Sequence, residues 1–211
     1  MTQSSHTVTG RVAVLRPWTF SDRDIASVIR AHAAPDMAGQ SARPITDAAG
    51  ARTWLDVMVP RAEVREPTAE EAQDQGPDPV TLQALAIDVD GVAVGHVMVS
   101  GMEWRHQTGW VSYWVEPSAR GQRLASAAVA ALAGTCFRTW GLYRLELGHR
   151  LNNPASGAVA AAAGFIREGV ERQKLRYQDD GGAWERFDTA LWARLATDPS
   201  PETVPLDILP G

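Results

Sequence analysis

Apolar and polar residues alternate in "RVAVLRPW", which predicts a first strand over residues 11–15 that stops at Pro17, where the ladder loses a donor. The period then lengthens. Ser21 suits an N-cap for a helix over about 22–33, Asp24 sits in the capping-box position, and Pro35 and Gly39 break the pattern. A second helix over about 47–59, capped by Thr46, sets Trp54, Leu55 and Met58 on one stripe. Period two returns in "LQALAIDVDGVAVGHVMVSG", two strands around Asp90-Gly91, a strong two-residue hairpin signal. "GWVSYWV", residues 109–115, adds a strand with β-branched and aromatic residues on both faces. An alanine-rich helix follows Pro117, and "YRLELG" reads as a strand. The next helix is capped by Asn153, opened by Pro154 and stopped by Gly164. "FIREGVERQKLRY" and "AWERFDTALWARL" predict a closing hairpin around Asp180-Gly181-Gly182.

The predicted order is β, α, α, three strands, α, β, α and a hairpin. Tight turns make the middle strands antiparallel, and the crossover from 109 to 148 implies one parallel pair. This is a mixed α/β chain without internal repeats. No Gly-x-Gly-x-x-Gly follows the first strand, so a doubly wound nucleotide-binding oxidoreductase is excluded. The organisation reads as an extension over 1–10, one domain over 11–195 and a proline-rich tail over 196–211 that is extended or disordered. Residues 61–79, rich in charge and proline, read as a surface insertion, with a lid over a substrate as the functional alternative.

The 211 residues are 45% hydrophobic, enough for one substantial core. Twenty Lys plus Arg against 25 Asp plus Glu give a net charge of -5. That argues against a nucleic-acid surface and mildly favours a cationic partner such as an amine. Cys136 stands alone, on a Val129/Leu132/Cys136 stripe, so neither a disulfide nor a thiolate metal cluster is expected and a core role is. Histidines 6, 32, 96, 106 and 149 lack metal-ligand spacing, no metal is expected, and His96 reads as structural. The polar start and the short apolar run 125–137 predict a cytoplasmic chain without a membrane segment.

One stretch carries chemistry. In "WVEPSARGQRLASAAV" a strand end, a turn and a helix start present unpaired amides and the positive end of a helix dipole, an arrangement suited to phosphate. Gly121 allows close approach, while Arg120, Gln122 and Arg123 add charge and donors. Small residues from Ala125 to Ala128 leave room for an elongated ligand. Equally, they allow a helix to pack closely on a sheet.

That stretch resembles the pyrophosphate-binding segment of the GNAT superfamily of acyl-CoA-dependent N-acyltransferases, whose pattern is Q/R-x-x-G-x-G/A. Arg120 takes the first position and Ala125 the last, while Arg123 stands where the central glycine belongs. "LRPWTFSDRD", "YRLELGHRLNNPASGAVAAAAGF" and "REGV…FDTALWARL" resemble further family segments in the right order, over roughly 11–195. The Asn-x-x-Ser at Asn153 and Ser156 points to the branch resembling ribosomal-protein N-terminal (alanine/serine) acetyltransferases.

The resemblance implies a mixed, largely antiparallel, splayed sheet of about six to seven strands flanked by about four helices. It implies acetyl-CoA as co-substrate, inserted beyond strand 109–115 and paired with backbone near Trp114 and Val115. The Val115 N–H would be the oxyanion donor. Arg120 and the amides of Gly121, Gln122, Arg123, Leu124, Ala125 and Ser126 would hold the pyrophosphate. Asn153 would contact the pantetheine arm, and Ser156 would protonate the leaving thiolate or serve only in the first helical turn. The helix position at which many members carry a tyrosine acid falls on Ala160. Glu103 and His106, in "GMEWRHQTG", are the candidates for removing the amine proton, against a solvated loop as the alternative. Glu146 is a further candidate or an ordinary strand face, and Trp104, Trp110 and Tyr113 are candidates for an acceptor pocket. The function implied is direct N-acetylation of a primary amine, on a small molecule or a protein N-terminus. The alternative is an acyl-CoA-binding or scaffold module without turnover. A homodimer is compatible with the resemblance.

Overall fold

The computed structural model describes residues 7–8, 11–37, 44–59, 82–178 and 183–210. The expected insertion at 61–79 and the turn at Asp180-Gly181-Gly182 lie outside the described residues. The strands are β1 (Thr7–Val8), β2 (Arg11–Pro17), β3 (Leu82–Val89), β4 (Val92–Glu103), β5 (Thr108–Val115), β6 (Arg144–Arg150), β7 (Ile166–Gln178), β8 (Trp184–Leu195) and β9 (Asp207–Ile208). The helices are α1 (Asp22–His32), α2 (Ala48–Met58), α3 (Leu124–Arg138) and α4 (Pro154–Ala162). Short 3-10 turns at Pro35–Met37 and Pro117–Ala119 precede the second and third of these.

The sheet order is β1-β2-β3-β4-β5-β6-β8-β7, with β9 added beside β2. All ladders are antiparallel except β5–β6 and β2–β9. The seven strands of seven or more residues match the expected sheet, and β1 and β9 extend it.

Strand alternation divides the core into two layers. In β3, Leu85 and Ile87 join Val97, Val99, Val111, Leu132, Leu145 and Leu147 on the α3/α4 face. Ala84 and Ala86 point the other way, toward Trp18, Val28 and Leu55 of the α1/α2 layer. Helix α3 is buried nearly all round, from Ser126 to Gly134 and at Cys136. Its alanines allow the sheet on one side and the C-terminal segment on the other to approach closely. Burial raises the Cys136 thiol well above its ordinary range, as suits a core residue.

Local chemistry departs from expectation in three places. Ser21 does cap α1, accepting from the Asp24 N–H at 3.3 Å. The Asp24 carboxylate, however, reaches past the cap to the Thr19 N–H at 2.8 Å and to Arg16 at 2.7 and 2.9 Å. Burial alone would raise its pKa, but Arg16 and Thr19 outweigh that and hold it low. Helix α2 is capped by Asp47 rather than Thr46, since the Asp47 Oδ1 accepts from Gly50 N–H at 2.8 Å. The tail does not hang free between Ala196 and Pro210. Leu206 is 3% exposed among the α3-side core residues, its N–H donates to the Ala127 carbonyl, and β9 pairs parallel with β2.

Candidate active site

Strand β5 pairs with β4 along its whole length, from Thr108 to Val115. Its pairing with β6 covers only Thr108, Gly109 and Trp110. Beyond Trp110 the sheet splays. The Glu116 N–H donates to the Val94 carbonyl, so by antiparallel alternation Trp114 and Ser112 turn their peptide groups to β4. Tyr113 and Val115 turn theirs toward the gap. The Val115 amide, the expected donor, is therefore oriented into the wedge, whereas the Trp114 backbone belongs to the ladder and the residue lines the cavity through its side chain.

A cavity of about 990 Å³ occupies the wedge and runs through the sheet. On the α3 side its wall includes Arg120, Gly121, Arg123, Leu124, Ala125 and Ser126. Gly121 has φ 76° with nothing within 4 Å of a would-be Cβ. Arg123 takes the left-handed conformation at φ 59°, the shape a glycine adopts most readily, with an exposed side chain. Its carbonyl accepts from the Ala127 N–H at 3.0 Å and the Ser126 hydroxyl at 2.9 Å, which starts α3. So an arginine reproduces the turn without a side chain packed into the protein. Arg120 Nε donates to the Val115 carbonyl at 2.9 Å, bridging the turn and the strand end. Glu116 fixes that end further, accepting from Arg30 at 2.7 Å and Ser118 at 2.8 Å. Gln122 lies in the same turn and is not part of the cavity wall.

On the α4 side, the Asn153 Oδ1 accepts from the Ser156 N–H at 3.2 Å, so Asn153 is the helix cap and lines the cavity as well. Ser156 holds a partner that the sequence did not disclose. The Tyr113 hydroxyl lies 2.7 Å from the Ser156 Oγ and donates to the Ser156 carbonyl at 2.9 Å. Ala160 is fully buried, and the phenol reaches α4 from the strand instead. Burial pushes the Tyr113 phenol up to about 12, against the downward pull of the Ser156 hydrogen bond. It stays protonated through the neutral range.

Glu103 and His106 are not brought to the wedge. They sit in the β4–β5 turn, where the Glu103 carboxylate accepts from the Arg105 and His106 N–H groups at 3.0 and 2.7 Å. The Val115 amide stands at the other end of β5, seven residues on from Thr108 and roughly 23 Å away at 3.3 Å per residue. Glu146 is likewise taken up, by Arg144 at 2.7 Å. Of the aromatic candidates, Trp110 and Tyr113 line the cavity, while Trp104 packs on the α3-side core.

Behind Trp114, on the α1/α2 face, Trp18, Trp54, His32 and His96 form a ring cluster with centroids 5.2–6.3 Å apart. His96 is 3% exposed and its Nδ1 accepts from Trp18 Nε1 at 3.1 Å. Burial, reinforced by His32, lowers its pKa to about 3. A histidine depressed in the folded state stabilises fully above its unfolded pKa and loses that stabilisation as pH falls. The window runs from about 6.5 down to about 3. Unfolding in urea should therefore show about 2 kcal/mol less stability at pH 5 than at pH 7.5, and His96→Asn should remove most of that difference. Equal wild-type stability at both values would contradict a neutral, buried imidazole.

Among the described residues no three His, Cys, Asp or Glu side chains converge as metal ligands would, and no helix is long and apolar enough to cross a membrane. Residues 13–166 match the family described as the Acetyltransferase (GNAT) domain. The chain belongs to that family. Among curated proteins it is 32% identical over 102 residues to the ribosomal-protein-serine acetyltransferase of Escherichia coli, covering 48% of this chain and 54% of that protein. It is 29% identical over 79 residues to the probable N-acetyltransferase YjcK of Bacillus subtilis, covering 37% and 42%. The matched segment thus spans about half the length of these relatives. The structure of Mycobacterium smegmatis RimJ in complex with CoA-disulfide superposes with a TM-score of 0.68 at 25% identity, over 90% of this chain and 85% of that one. RimL, a ribosomal L7/L12 alpha-N-protein acetyltransferase solved with coenzyme A, shares the fold at 19% identity and a TM-score of 0.67, over 90% and 96%. The GNAT sheet with its open wedge is therefore the frame on which these side chains are arranged.

Proposed function

We propose that this protein is an acetyl-CoA-dependent N-acetyltransferase that moves the acyl group directly to a primary amine, at a protein N-terminus or on a small molecule. The observation that carries this reading is the wedge itself. One strand end turns the Val115 amide into it, a left-handed turn presents the amides before α3, and a phenol–hydroxyl pair faces them from the other wall. A pantetheine chain fits as an added strand, and Gly121 leaves its diphosphate a close approach.

Bound acetyl-CoA supplies an activated thioester. The Val115 N–H then donates to the thioester oxygen as negative charge grows on it, a contribution of about 3 kcal/mol for one well-placed donor. An N–C bond forms and the C–S bond breaks. The amine gives its proton to cleft water, and the thiolate sulfur takes one from the Tyr113–Ser156 pair. The phenol is the better matched source. A thiol has an ordinary pKa near ~8.5, and even pushed up to about 12 the Tyr113 phenol lies nearer to it than an alcohol, which is far weaker as an acid.

The test is thiol release from acetyl-CoA by the purified protein across a panel of amines. Coenzyme binding, seen as a thermal shift, without release on any amine would reject turnover and leave the scaffold reading.

A further inference from the structure

We propose that Arg150 anchors an anion on the acceptor, so that the amine this enzyme acetylates carries a carboxylate close to its nitrogen. The inference rests on the acyl-transfer reading and names the acceptor class for that site.

The placement follows from strand register. Trp110 and Glu146 form the last pair between β5 and β6, and four residues further on each strand stand Trp114 and Arg150. They flank the gap at the same height. They also share a face. Trp114 packs with the α1/α2 layer, and Arg150 alternates with His149, whose ring meets Gly157 of α4 on the opposite side. Both line the cavity. An acceptor reaching the thioester from the α1/α2 side therefore passes between an indole and a guanidinium.

The guanidinium is held in place by rings. Its central carbon lies 4.3 Å from the Tyr177 ring centroid and 5.2 Å from that of Phe187. Such contacts use π faces and leave N–H donors for another partner. Among the described residues no carboxylate pairs with it. Arg16, Arg30 and Arg144 are each bound by one or two carboxylates at 2.7 Å or in similarly close contact. Lys174, which stands 5.3 Å over the Trp110 ring, is already paired with Glu171 at 2.6 Å. A half-buried, ring-clamped guanidinium in a cavity wall, unpaired beside the transfer point, is suited to a bidentate carboxylate.

This preference runs against the whole-molecule charge. A net charge of -5 draws cations from a distance, but recognition is set by the group that meets the ligand. Net charge favours a cationic acceptor and Arg150 an anionic one, a difference that matched acceptors measure.

The experiment is thiol release by the full chain with matched acceptors: an α-amino acid and its amide, a Ser-Glu peptide and its Ser-Gln counterpart, and spermidine. The first pair reads an α-carboxylate and the second an acidic side chain. In at least one pair the carboxylate member should show kcat/KM roughly 10- to 100-fold above its amide. Arg150→Gln should abolish that gap through acceptor KM, leaving the amide acceptors and the KM for acetyl-CoA unchanged, and Arg150→Lys should keep part of it. Those unchanged parameters double as the check that the variant folds. Equal use of both members, a preference for spermidine, or a gap that survives Arg150→Gln would overturn the anchor while leaving acyl transfer standing. Absence of thiol release with every acceptor would overturn both.

Discussion

Tyr113→Phe is expected to lower kcat roughly 100-fold or more while leaving the KM for acetyl-CoA nearly unchanged, since general acids contribute about 10²- to 10⁴-fold. The phenol oxygen is 2.7 Å from the Ser156 Oγ, on the wall of the wedge that faces the Val115 amide. Ser156→Ala should cost less, because the phenol remains to deliver the proton through water. The double variant should be little worse than Tyr113→Phe alone, as expected for groups that act as one unit. A purely structural tyrosine would behave differently. Its loss would lower thermal stability, and the rate would fall equally for every acyl donor. If the pair is the acid, a donor with a more acidic thiol, whose leaving group needs no proton, should restore most of the rate in Tyr113→Phe. Failure of that rescue, with a folded variant, would remove Tyr113 from the chemistry.

Leu206→Ala is expected to cost about 2–4 kcal/mol, the usual range for emptying a buried leucine site. At about 2–4 °C per kcal/mol for a chain of this size, the melting temperature should fall by roughly 5–15 °C. Leu206 is 3% exposed, its N–H is bonded to the Ala127 carbonyl, and the following two residues add a parallel strand beside β2. Removing residues 200–211 should be at least as costly, because the ladder is lost with the side chain. A melting temperature within 2 °C of the parent would show that the tail contributes nothing to the folded state. Val204 and Leu209, which are largely exposed, make suitable controls and should be close to neutral on substitution to alanine.

What the sequence disclosed and what it hid divide along physical lines. Local backbone chemistry was legible. Asp90 and Gly91 take φ values of 51° and 83°, as their turn requires. Asn153 caps α4, and Gly164 at φ 84° ends it with the Phe165 N–H on the Ala160 carbonyl. The turn before α3 was legible too, and Arg123 at φ 59° shows that its shape survives without the expected glycine.

Contacts between residues distant along the chain were not legible. Tyr113 and Ser156 stand 43 positions apart, and only the approach of α4 to β5 brings their hydroxyls together. Arg150 meets Tyr177 and Phe187 through the register of a hairpin with bulges, which composition does not encode. Glu103 and His106 read as near the reaction because they precede β5. The direction of that strand sets them apart, since the Val115 amide stands at its far end and neither side chain lines the cavity. The proline-rich tail read as extended or disordered on its four prolines; it is extended, and the buried Leu206 and β9 fasten it.

The parting of β5 from β6 has a consequence for inhibitor chemistry. On the proposed reading the slot takes peptide-like amides and carbonyls by spacing alone, through the Tyr113 main chain and the Val115 amide, which substitution cannot easily alter. A short, rigid, extended diamide that fills it would compete with the coenzyme without copying its nucleotide, and resistance by single side-chain changes would be hard to acquire.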